Sequence, residues 1–429
     1  MTLQPASDGL NEREALARKF RTVRAESVAL AAPLTVEDQT IQTIAEVSPT
    51  KWHLAHTSWF FETFLLAQFN KSYAAFDARF NYLFNSYYEA VGARHPREQR
   101  GLLSRPGVST VMDYRRHVDA AMAELIASAP AHDWPGASRL IELGCHHEQQ
   151  HQELLLMDIK HVFSVNPLEP AYAARPVQTP AAKSGADFIP YPGGLYEIGH
   201  SGNAFAFDNE GPRHKVWLEP FALMNRAVTV GEYLKFIEDG GYDRPEFWLS
   251  DGWASLRAQG WMAPQYWTRN GADWSIFTLA RSRALEMDEP VCHVSYFEAD
   301  AYARWAGARL PSEAEWEVAA TRLAGCDPED GNFAHTRLFH PSAAGERDGL
   351  QQMFGDVWEW TQSSHSAYPR YRPEAGAVGE YNGKFMSGQM VLRGGSAVTP
   401  RGHMRASYRN FFPPFYRLVF AGIRLAKDV

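Results

Sequence analysis

Near its middle the chain changes character abruptly, and this change constrains its fold more than any other feature. Residues 166–187, NPLEPAYAARPVQTPAAKSGAD, are rich in proline, alanine and small polar residues and have no hydrophobic periodicity. Such a segment is typical of an interdomain linker, and 429 residues are too many for one ordinary hydrophobic core. The sequence therefore predicts a first domain over residues 1–170, a linker over 171–186 and a second domain over 187–429.

The first half is predicted to be helical. Apolar residues recur there at steps of three and four, the spacing of one face of an α-helix. Four long stretches show this pattern: residues 12–32, 36–69, 108–129 and 137–163. Four such helices joined by shorter irregular segments favour an antiparallel bundle, an architecture that often builds metal sites between facing helices.

The second half has a different texture. From Ile189 onward, glycines, tryptophans and short apolar runs dominate, which is typical of an α+β domain with much irregular structure. Only a few helical stretches are predicted in it: residues 230–239, 296–305 and 312–324.

Charge and cysteine content exclude several classes of function. The formal net charge is −8 and the pI is about 6.1, which gives no basic footprint for nucleic acid. No run of roughly 18 apolar residues predicts a membrane span, and the first twenty residues have no apolar stretch of signal-peptide length. The cysteines Cys145, Cys292 and Cys326 are too few and too widely spaced for a disulfide framework or a zinc finger. We therefore expect a cytoplasmic protein without a nucleic-acid or membrane partner.

The strongest chemical signal is the string HEQQH within a predicted helix. His147 and His151 are four residues apart, so their imidazoles lie one turn apart on the same helical face and can reach one metal ion. A second helix carries WHLAHT, which can supply a third imidazole from His53 or His56; their spacing does not decide between the two. His146 points about 100° away from His147 and is predicted to be a bystander.

HEQQH is also formally the H-E-x-x-H motif of zinc proteases, in which the glutamate is the general base. The continuation QELLLMDIKHVF has no metzincin-like glycine turn, and Glu153 is too close to serve as a downstream ligand. Imidazole ligands suit zinc, iron, copper and nickel alike. Three neutral imidazoles leave the double charge of the ion uncompensated, which favours direct binding of an anionic substrate thiolate.

Several motifs of the second half, taken together and in order, resemble the formylglycine-generating-enzyme (sulfatase-modifying factor) fold, a C-type-lectin-like α+β domain. The motifs are PGG at 192–194, NEGPRH at 209–214, RLPSEAEWE at 309–317, GDVWEWT at 355–361, RGGS at 393–396 and GIRL at 422–425. Formylglycine-generating enzymes use a reactive cysteine pair near the C-terminus, whereas no cysteine follows Cys326 here. That cysteine chemistry is therefore not expected.

The first half resembles a DinB-type four-helix bundle. A DinB bundle fused to this lectin-like domain, with LAH on one helix and HEQQH on another, resembles the hercynine oxygenases (EgtB-type sulfoxide synthases) of ergothioneine biosynthesis. The resemblance implies that His56, His147 and His151 bind iron(II). It also implies oxygen-dependent coupling of a thiol to C2 of the imidazole of hercynine, with oxidation of the sulfur.

The resemblance further implies roles for residues around the iron. The run FNSYYE resembles the tyrosine pair with which one subgroup hydrogen-bonds or protonates the reduced oxygen species, which nominates Tyr87 and Tyr88. Gln150 is predicted to contact hercynine. YRNFFPP resembles the C-terminal substrate loop, in which Asn410 would hydrogen-bond the betaine while Phe411 or Phe412 faces its trimethylammonium group. This loop would have to reach the bundle, which places the expected active site between the domains.

The sulfur donor is predicted from a departure from the family pattern. Mycobacterial-type enzymes that use γ-glutamylcysteine carry an acidic residue and an extra arginine in this loop, where Phe412 and Tyr416 stand here; only Arg417 is retained. Free cysteine is therefore the favoured donor, and a selenosugar, as in the related selenoneine synthases, fits the same losses. Arg94, Arg97 and Arg105 are candidate carboxylate binders, or alternatively solvated surface charges.

Two other functions use the same features. A zinc- or nickel-dependent DinB-type thiol S-transferase would use the same histidines without oxygen chemistry. A non-catalytic binding module would present the lectin-like half to a partner and would have neither a bound metal nor a closed substrate pocket. Neither alternative accounts for both halves of the chain.

Overall fold

The computed structural model describes residues 6–175, 185–322, 328–345, 348–374 and 376–429. The chain forms two compact units, Met1–Pro167 and Leu168–Val429. Residues 176–184 of the predicted linker lie outside the described residues, and so do Ala324 and Cys326. At the start of the second unit, the backbone N–H groups of Tyr172 and Ala173 donate to the carbonyl of Leu279.

The first unit is a helical bundle, as predicted. Its helices are α1 (Ala6–Ala31), α2 (Thr50–Phe61), α3 (Phe80–Phe84), α4 (Val108–Ser128) and α5 (Trp134–Ser164). A π-helical turn, Glu62–Leu66, and a last turn, Ala67–Phe69, extend α2. Helix α2 packs against α4 and α5, and α1 packs against α5. Within the described part of the chain, no helix is long and apolar enough to cross a membrane.

Hydrophobic periodicity explains the packing of these helices. Helix α4 buries Val111, Tyr114, Val118, Met122 and Leu125, which recur at three- and four-residue steps on one face. Such a stripe is removed from water only when a neighbouring helix covers it, so the pattern determines which face of α4 points into the bundle.

A glycine brings α5 unusually close to α2. A Cβ atom at Gly144 would lie 2.5 Å from the ring of Phe61, so no larger residue fits without movement of that ring. Gly144 stands one turn before the HEQQH string. The close approach therefore carries the histidines of α5 toward the histidines of α2.

The prediction of one long helix over residues 36–69 was wrong in its first part. A short 3₁₀ turn, Asp38–Thr40, replaces it, and α2 begins only at Thr50. Pro49 explains the boundary, because a residue before proline is disfavoured in the helical conformation. Val36 and Ile41 are exposed, so the apolar residues before Pro49 formed no buried stripe.

The second unit is built from short strands in four small sheets. The strands are β1 (Phe188–Tyr191), β2 (Gly194–Ile198), β3 (His214–Leu218), β4 (Phe221–Met224), β5 (Trp267–Asn270), β6 (Asp273–Thr278), β7 (Arg281–Ala284), β8 (Trp358–Ser364), β9 (Met390–Arg393), β10 (Asn410–Phe412), β11 (Ala421–Gly422) and β12 (Ala426–Asp428). The sheet orders are β1-β4-β12, β10-β9-β8-β11, β2-β3 and β5-β6-β7. All pairs are antiparallel except β8 with β11.

Three of the five α-helices described in the second unit begin within one residue of the predicted stretches, whereas Ser250–Gln259 and Glu380–Gly383 were not predicted. The five helices are α6 (Val230–Glu238), α7 (Ser250–Gln259), α8 (Tyr296–Trp305), α9 (Glu313–Thr321) and α10 (Glu380–Gly383). Three of these, α6, α8 and α9, start with a capping box, in which a Ser or Thr and a Glu three residues later satisfy the first backbone N–H groups. The α+β architecture predicted for this half is confirmed.

Three of the family motifs of the second half, GDVWEWT, RGGS and GIRL, are completely buried. The carboxylate of Glu359, from GDVWEWT, accepts hydrogen bonds from Arg424 of GIRL and from the indole of Trp316. Arg393 of RGGS donates to Glu317 at 2.7 Å and is completely buried. These motifs therefore stabilise the fold rather than present reactive groups.

Candidate metal centre

Three histidines converge between α2 and α5. His56 comes from α2, and His147 and His151 lie one turn apart on α5. One nitrogen from each lies within 4.8 Å of the others, and the Nε2 atoms of His56 and His147 are 3.3 Å apart. Two imidazoles that bind one ion at about 2.1 Å take a similar separation. Among the residues that the structure describes, this is the one group of His, Cys, Asp or Glu side chains that converges closely enough for a metal ion.

The orientation of His56 suits a metal ligand. Its Nδ1–H donates to the backbone carbonyl of Phe84 at 2.5 Å, so Nε2 carries the lone pair that faces the other histidines. The ring is stacked between two indoles, with centroids 4.7 Å from Trp52 and 5.4 Å from Trp59. Hydrogen bond and stacking together hold the imidazole in one position.

Protonation of the three imidazoles is disfavoured at this position. Burial lowers the pKa of His147 to about 4. Burial and the neighbouring imidazoles hold the pKa values of His56 and His151 well below their usual range. The neutral imidazole is the form that binds metals, so the three side chains fit a divalent cation.

His53 has a different environment from His56. Its Nδ1 lies 2.9 Å from Nδ1 of His151, and its Nε2 lies 2.9 Å from a carboxylate oxygen of Asp158. His53 therefore contacts His151 but is not one of the three converging histidines. We call those three, His56, His147 and His151, the triad. His146, predicted as a bystander, contacts the ammonium group of Lys19 at 3.0 Å.

The glutamate of HEQQH cannot act as the base of a protease. Both carboxylate oxygens of Glu148 are ion-paired, one with Arg24 and one with Arg115, and Ser27 adds a hydrogen bond of 2.6 Å. Burial by itself would raise the pKa of this carboxyl, but the two guanidinium groups lower it to about 2. Glu148 faces α1 and α4, about 100° around the helix from His147.

The predicted tyrosine pair follows α3. The ring of Tyr88 is buried and lies 5.6 Å from Trp59 and 5.0 Å from Phe64, measured between ring centroids. The hydroxyl of Tyr87 is half-buried and accepts a hydrogen bond of 3.2 Å from Arg97. Tyr88 is thus tied to the stack that holds His56, whereas Tyr87 is tied to an arginine.

The candidate arginines differ in burial. Arg94 pairs with Glu89 at the surface, and Arg105 is exposed. Arg97 donates to Tyr87 and to the carbonyl of Glu46.

A fourth arginine, Arg100, was not predicted from the sequence. It is buried, and its guanidinium lies 3.4 Å from the centroid of the Trp52 ring. Burial lowers its pKa to about 9, and its two terminal nitrogens donate to the hydroxyls of Ser48 and Ser86. The available signal was its position one helical turn after Arg97.

The predicted substrate residues of the C-terminal loop lie in the second unit. Asn410 accepts a hydrogen bond from the backbone of Phe411, whose ring stacks on His365. The ring of Phe412 stacks on Tyr416. Arg417 is paired with Glu298 at 3.0 Å and covers the ring of Trp261. Gln150, in the first unit, is half-buried on α5 between the two triad histidines of that helix.

Comparison with known sequences covers both units. Residues 19–155 match the DinB superfamily, and residues 173–343 and 336–429 match the family described as sulfatase-modifying factor enzyme 1-like domain. The hercynine oxygenase of Mycolicibacterium smegmatis is 33% identical over 89% of this chain and 92% of its own length. That of Mycobacterium tuberculosis is 32% identical over 78% of this chain and 81% of its own length. Ergothioneine biosynthesis protein 1 of Schizosaccharomyces pombe is 28% identical over 52% of this chain and 28% of that protein.

Proposed function

The chain belongs to the hercynine oxygenase family, and we propose that it couples a thiol to C2 of the hercynine imidazole in an iron(II)- and dioxygen-dependent reaction. The product is a sulfoxide of ergothioneine biosynthesis, and cysteine is the favoured donor. The observation that carries the proposal is the convergence of His56, His147 and His151 in a chain that aligns with nearly the full length of a hercynine oxygenase.

The three histidines would hold the ion. When bound, iron(II) supplies redox equivalents and open coordination positions for a thiolate and for dioxygen. The chain contributes three imidazoles whose pKa values are lowered, with His56 and His147 buried and His151 half-buried, and no carboxylate belongs to the converging group in the described parts of the chain. A site of this charge favours an anionic thiolate over a neutral thiol.

Atoms and electrons balance in the proposed reaction. The C2–H bond of hercynine and the S–H bond of the donor break, and a C–S bond forms. Sulfur is also oxidised to the sulfoxide, so the substrates lose four electrons in total. Dioxygen accepts them; one oxygen atom ends in the sulfoxide and the other leaves as water.

Tyr87 and Tyr88 are the proposed donors of a hydrogen bond or a proton to the oxygen that is being reduced. Tyr88 lies against Trp59, which stacks on the ligand His56. Tyr87 is half-buried and contacts Arg97. Replacement of each by phenylalanine identifies the donor, because only the loss of that hydroxyl would lower the yield of the coupled product.

Arg97 and Arg100 are the proposed binders of the donor carboxylate. Arg100 is a buried cation that donates to the hydroxyls of Ser48 and Ser86 and forms no salt bridge within the described chain, so an anion from the substrate would compensate its charge. It also acts electrostatically on His56 and His151 and therefore lies near the converging histidines. Arg94 and Arg105 remain weaker candidates because they are exposed.

We further propose that Gln150 and Asn410 bind the polar groups of hercynine and that Phe411 or Phe412 faces its trimethylammonium group. The donor preference has support in the second unit. Arg417, the one arginine kept from the γ-glutamylcysteine pattern, is already paired with Glu298. A second γ-glutamyl carboxylate would thus have to compete with a buried ion pair, which favours cysteine or a selenosugar.

Oxygen uptake by anaerobically iron-loaded protein tests the proposal. Hercynine is supplied with cysteine, γ-glutamylcysteine or a selenosugar in turn, and mass spectrometry identifies the product. We expect a cysteine-derived sulfoxide that is lost in His151→Ala and retained in the matched control His146→Ala. Coupling with the selenosugar alone would instead assign selenoneine synthesis. No consumption of hercynine at full iron occupancy would contradict the proposal and favour a thiol S-transferase.

A further inference from the structure

Behind the triad lies a second buried polar pair, His53 and Asp158. His53 is on α2, three residues before His56, and Asp158 is on α5, seven residues after His151. Both spacings return a side chain to the same helical face. One hydrogen bond therefore connects His151 to His53, and a second connects His53 to Asp158, so the three side chains form a line.

The hydrogen bonds of this line determine which ring nitrogen of each histidine carries the proton. An ionised carboxylate only accepts hydrogen bonds, so Nε2 of His53 must donate to Asp158. In neutral His53, Nδ1 is then an acceptor, and Nδ1 of His151 must carry the proton between the two rings. As a consequence, Nε2 of His151 holds the lone pair.

From this geometry we propose that His53 and Asp158 are positioning residues of the metal centre. They hold the proton of His151 on Nδ1 and thereby present Nε2 to the ion. The inference rests on the metal site of the proposed function, but not on the identity of the substrates. It assigns a role to the histidine of WHLAHT that is not a ligand.

The backbone fixes the far end of the line. The N–H of Ser48 donates to the same oxygen of Asp158 at 2.8 Å, so that carboxylate oxygen has two donors and a defined position. Ser48 precedes Pro49, which ends the irregular segment before α2. The segment just before α2, whose start the sequence did not predict correctly, therefore also holds Asp158 in place.

His151 has more need of such support than His56. A backbone carbonyl fixes the tautomer of His56, and a carbonyl can only accept a hydrogen bond. The partner of His151 is another imidazole, which can donate or accept. Without Asp158 as acceptor, His53 could carry its proton on Nδ1 and donate it to Nδ1 of His151. The proton of His151 would then be on Nε2, which could not bind the ion.

Substitutions of His53 separate hydrogen bonding from packing. His53→Leu removes both hydrogen bonds at similar volume, whereas His53→Gln supplies an amide that donates at one end and accepts at the other. Iron(II) affinity of the purified full chain is measured anaerobically by competition with a chromogenic chelator. We expect binding about 10–100-fold weaker in His53→Leu and largely restored in His53→Gln. Unchanged affinity in His53→Leu, or equal losses in both variants, would overturn the proposal.

A direct measurement of the tautomer covers the case in which His53→Leu does not fold. In metal-free wild-type protein with ¹⁵N-labelled histidine, long-range ¹H–¹⁵N spectra show which ring nitrogen carries the proton, and His151→Gln assigns the signal. We expect His151 protonated at Nδ1; protonation at Nε2 would refute the inference. Absence of iron binding in wild-type protein would count against the proposed function instead, so the two failures are distinguishable.

Discussion

In the second unit the charged side chains of the family motifs neutralise one another, whereas in the first unit three imidazole nitrogens converge on one point. Glu359, Arg393 and Arg424 are buried, and each has partners of opposite charge or backbone carbonyls. Helix α5 shows both arrangements on neighbouring faces. Glu148 is ion-paired on one face, and His147 and His151 meet His56 on the other. A motif thus indicates reactive chemistry only where its polar groups are not already paired with other groups of the protein.

Loss of one partner from a buried ion pair should strongly destabilise the second unit. Arg424→Met leaves the carboxylate of Glu359 buried without its guanidinium partner, which should lower the free energy of unfolding by about 3–5 kcal/mol. The iron affinity of the folded variant should stay unchanged, because Glu359 and Arg424 stabilise the second unit only. Urea unfolding and iron titration measure the two quantities.

Arg304→Met is the matched control for that substitution. Arg304 pairs with Asp300 at a half-exposed position, so its loss should cost less than about 1 kcal/mol. Loss of iron binding by folded Arg424→Met would break the distinction between structural and reactive motifs.

Two buried carboxylates should respond to pH in opposite directions. The pKa of Glu148 is lowered to about 2 against the opposing effect of burial, so its contribution to stability is present above its ordinary pKa and is lost as the pH falls. Relative to Glu148→Gln, the wild type should lose about 2 kcal/mol between pH 6 and pH 3.

In the second unit, burial raises the pKa of Asp356 to about 6 despite its hydrogen bonds. Its contribution is therefore present below the ordinary pKa and is lost as the pH rises through 6. Relative to Asp356→Asn, the wild type should lose about 2 kcal/mol between pH 4 and pH 7. Urea unfolding over pH measures both differences, and the same sign for both pairs would contradict this electrostatic comparison.

The close approach of α2 and α5 should be sensitive to one added methyl group. Gly144→Ala gains helix propensity but places a methyl group 2.5 Å from the Phe61 ring, for a net cost of about 1–3 kcal/mol. Because the shift separates the histidine-bearing helices, iron binding should weaken as well. Phe61→Leu in the same chain should recover part of both losses, as thermal melting and metal titration would show. Unimpaired iron binding in Gly144→Ala would mean that the triad tolerates a wider helix spacing.

The sequence predicted those elements whose determinants are local. Periodicity located the four main helices, and capping residues such as Ser295 and Ser312 stand at the starts of α8 and α9. The start of α2 was misplaced because Val36 and Ile41 resemble a helical stripe in sequence, although nothing covers them. Burial is a property of the whole fold, so periodicity alone could not exclude them.

The candidate site was predicted only in part for a similar reason. The i, i+4 spacing indicated that His147 and His151 share a face, but spacing could not choose between His53 and His56. That choice depends on the contacts of each ring, with Phe84 for His56 and with Asp158 for His53. Arg100 was missed because its burial against Trp52 comes from a contact between distant segments.

Iron K-edge X-ray absorption of anaerobically loaded protein reports directly on the ligands of the proposed three-histidine centre. With one iron(II) per chain, we expect three imidazole nitrogens bound to iron in the wild type and two in His151→Ala. The control His146→Ala should keep the three nitrogens of the wild type. A shell dominated by carboxylate oxygen, or one that His151→Ala leaves unchanged, would contradict a three-histidine iron centre.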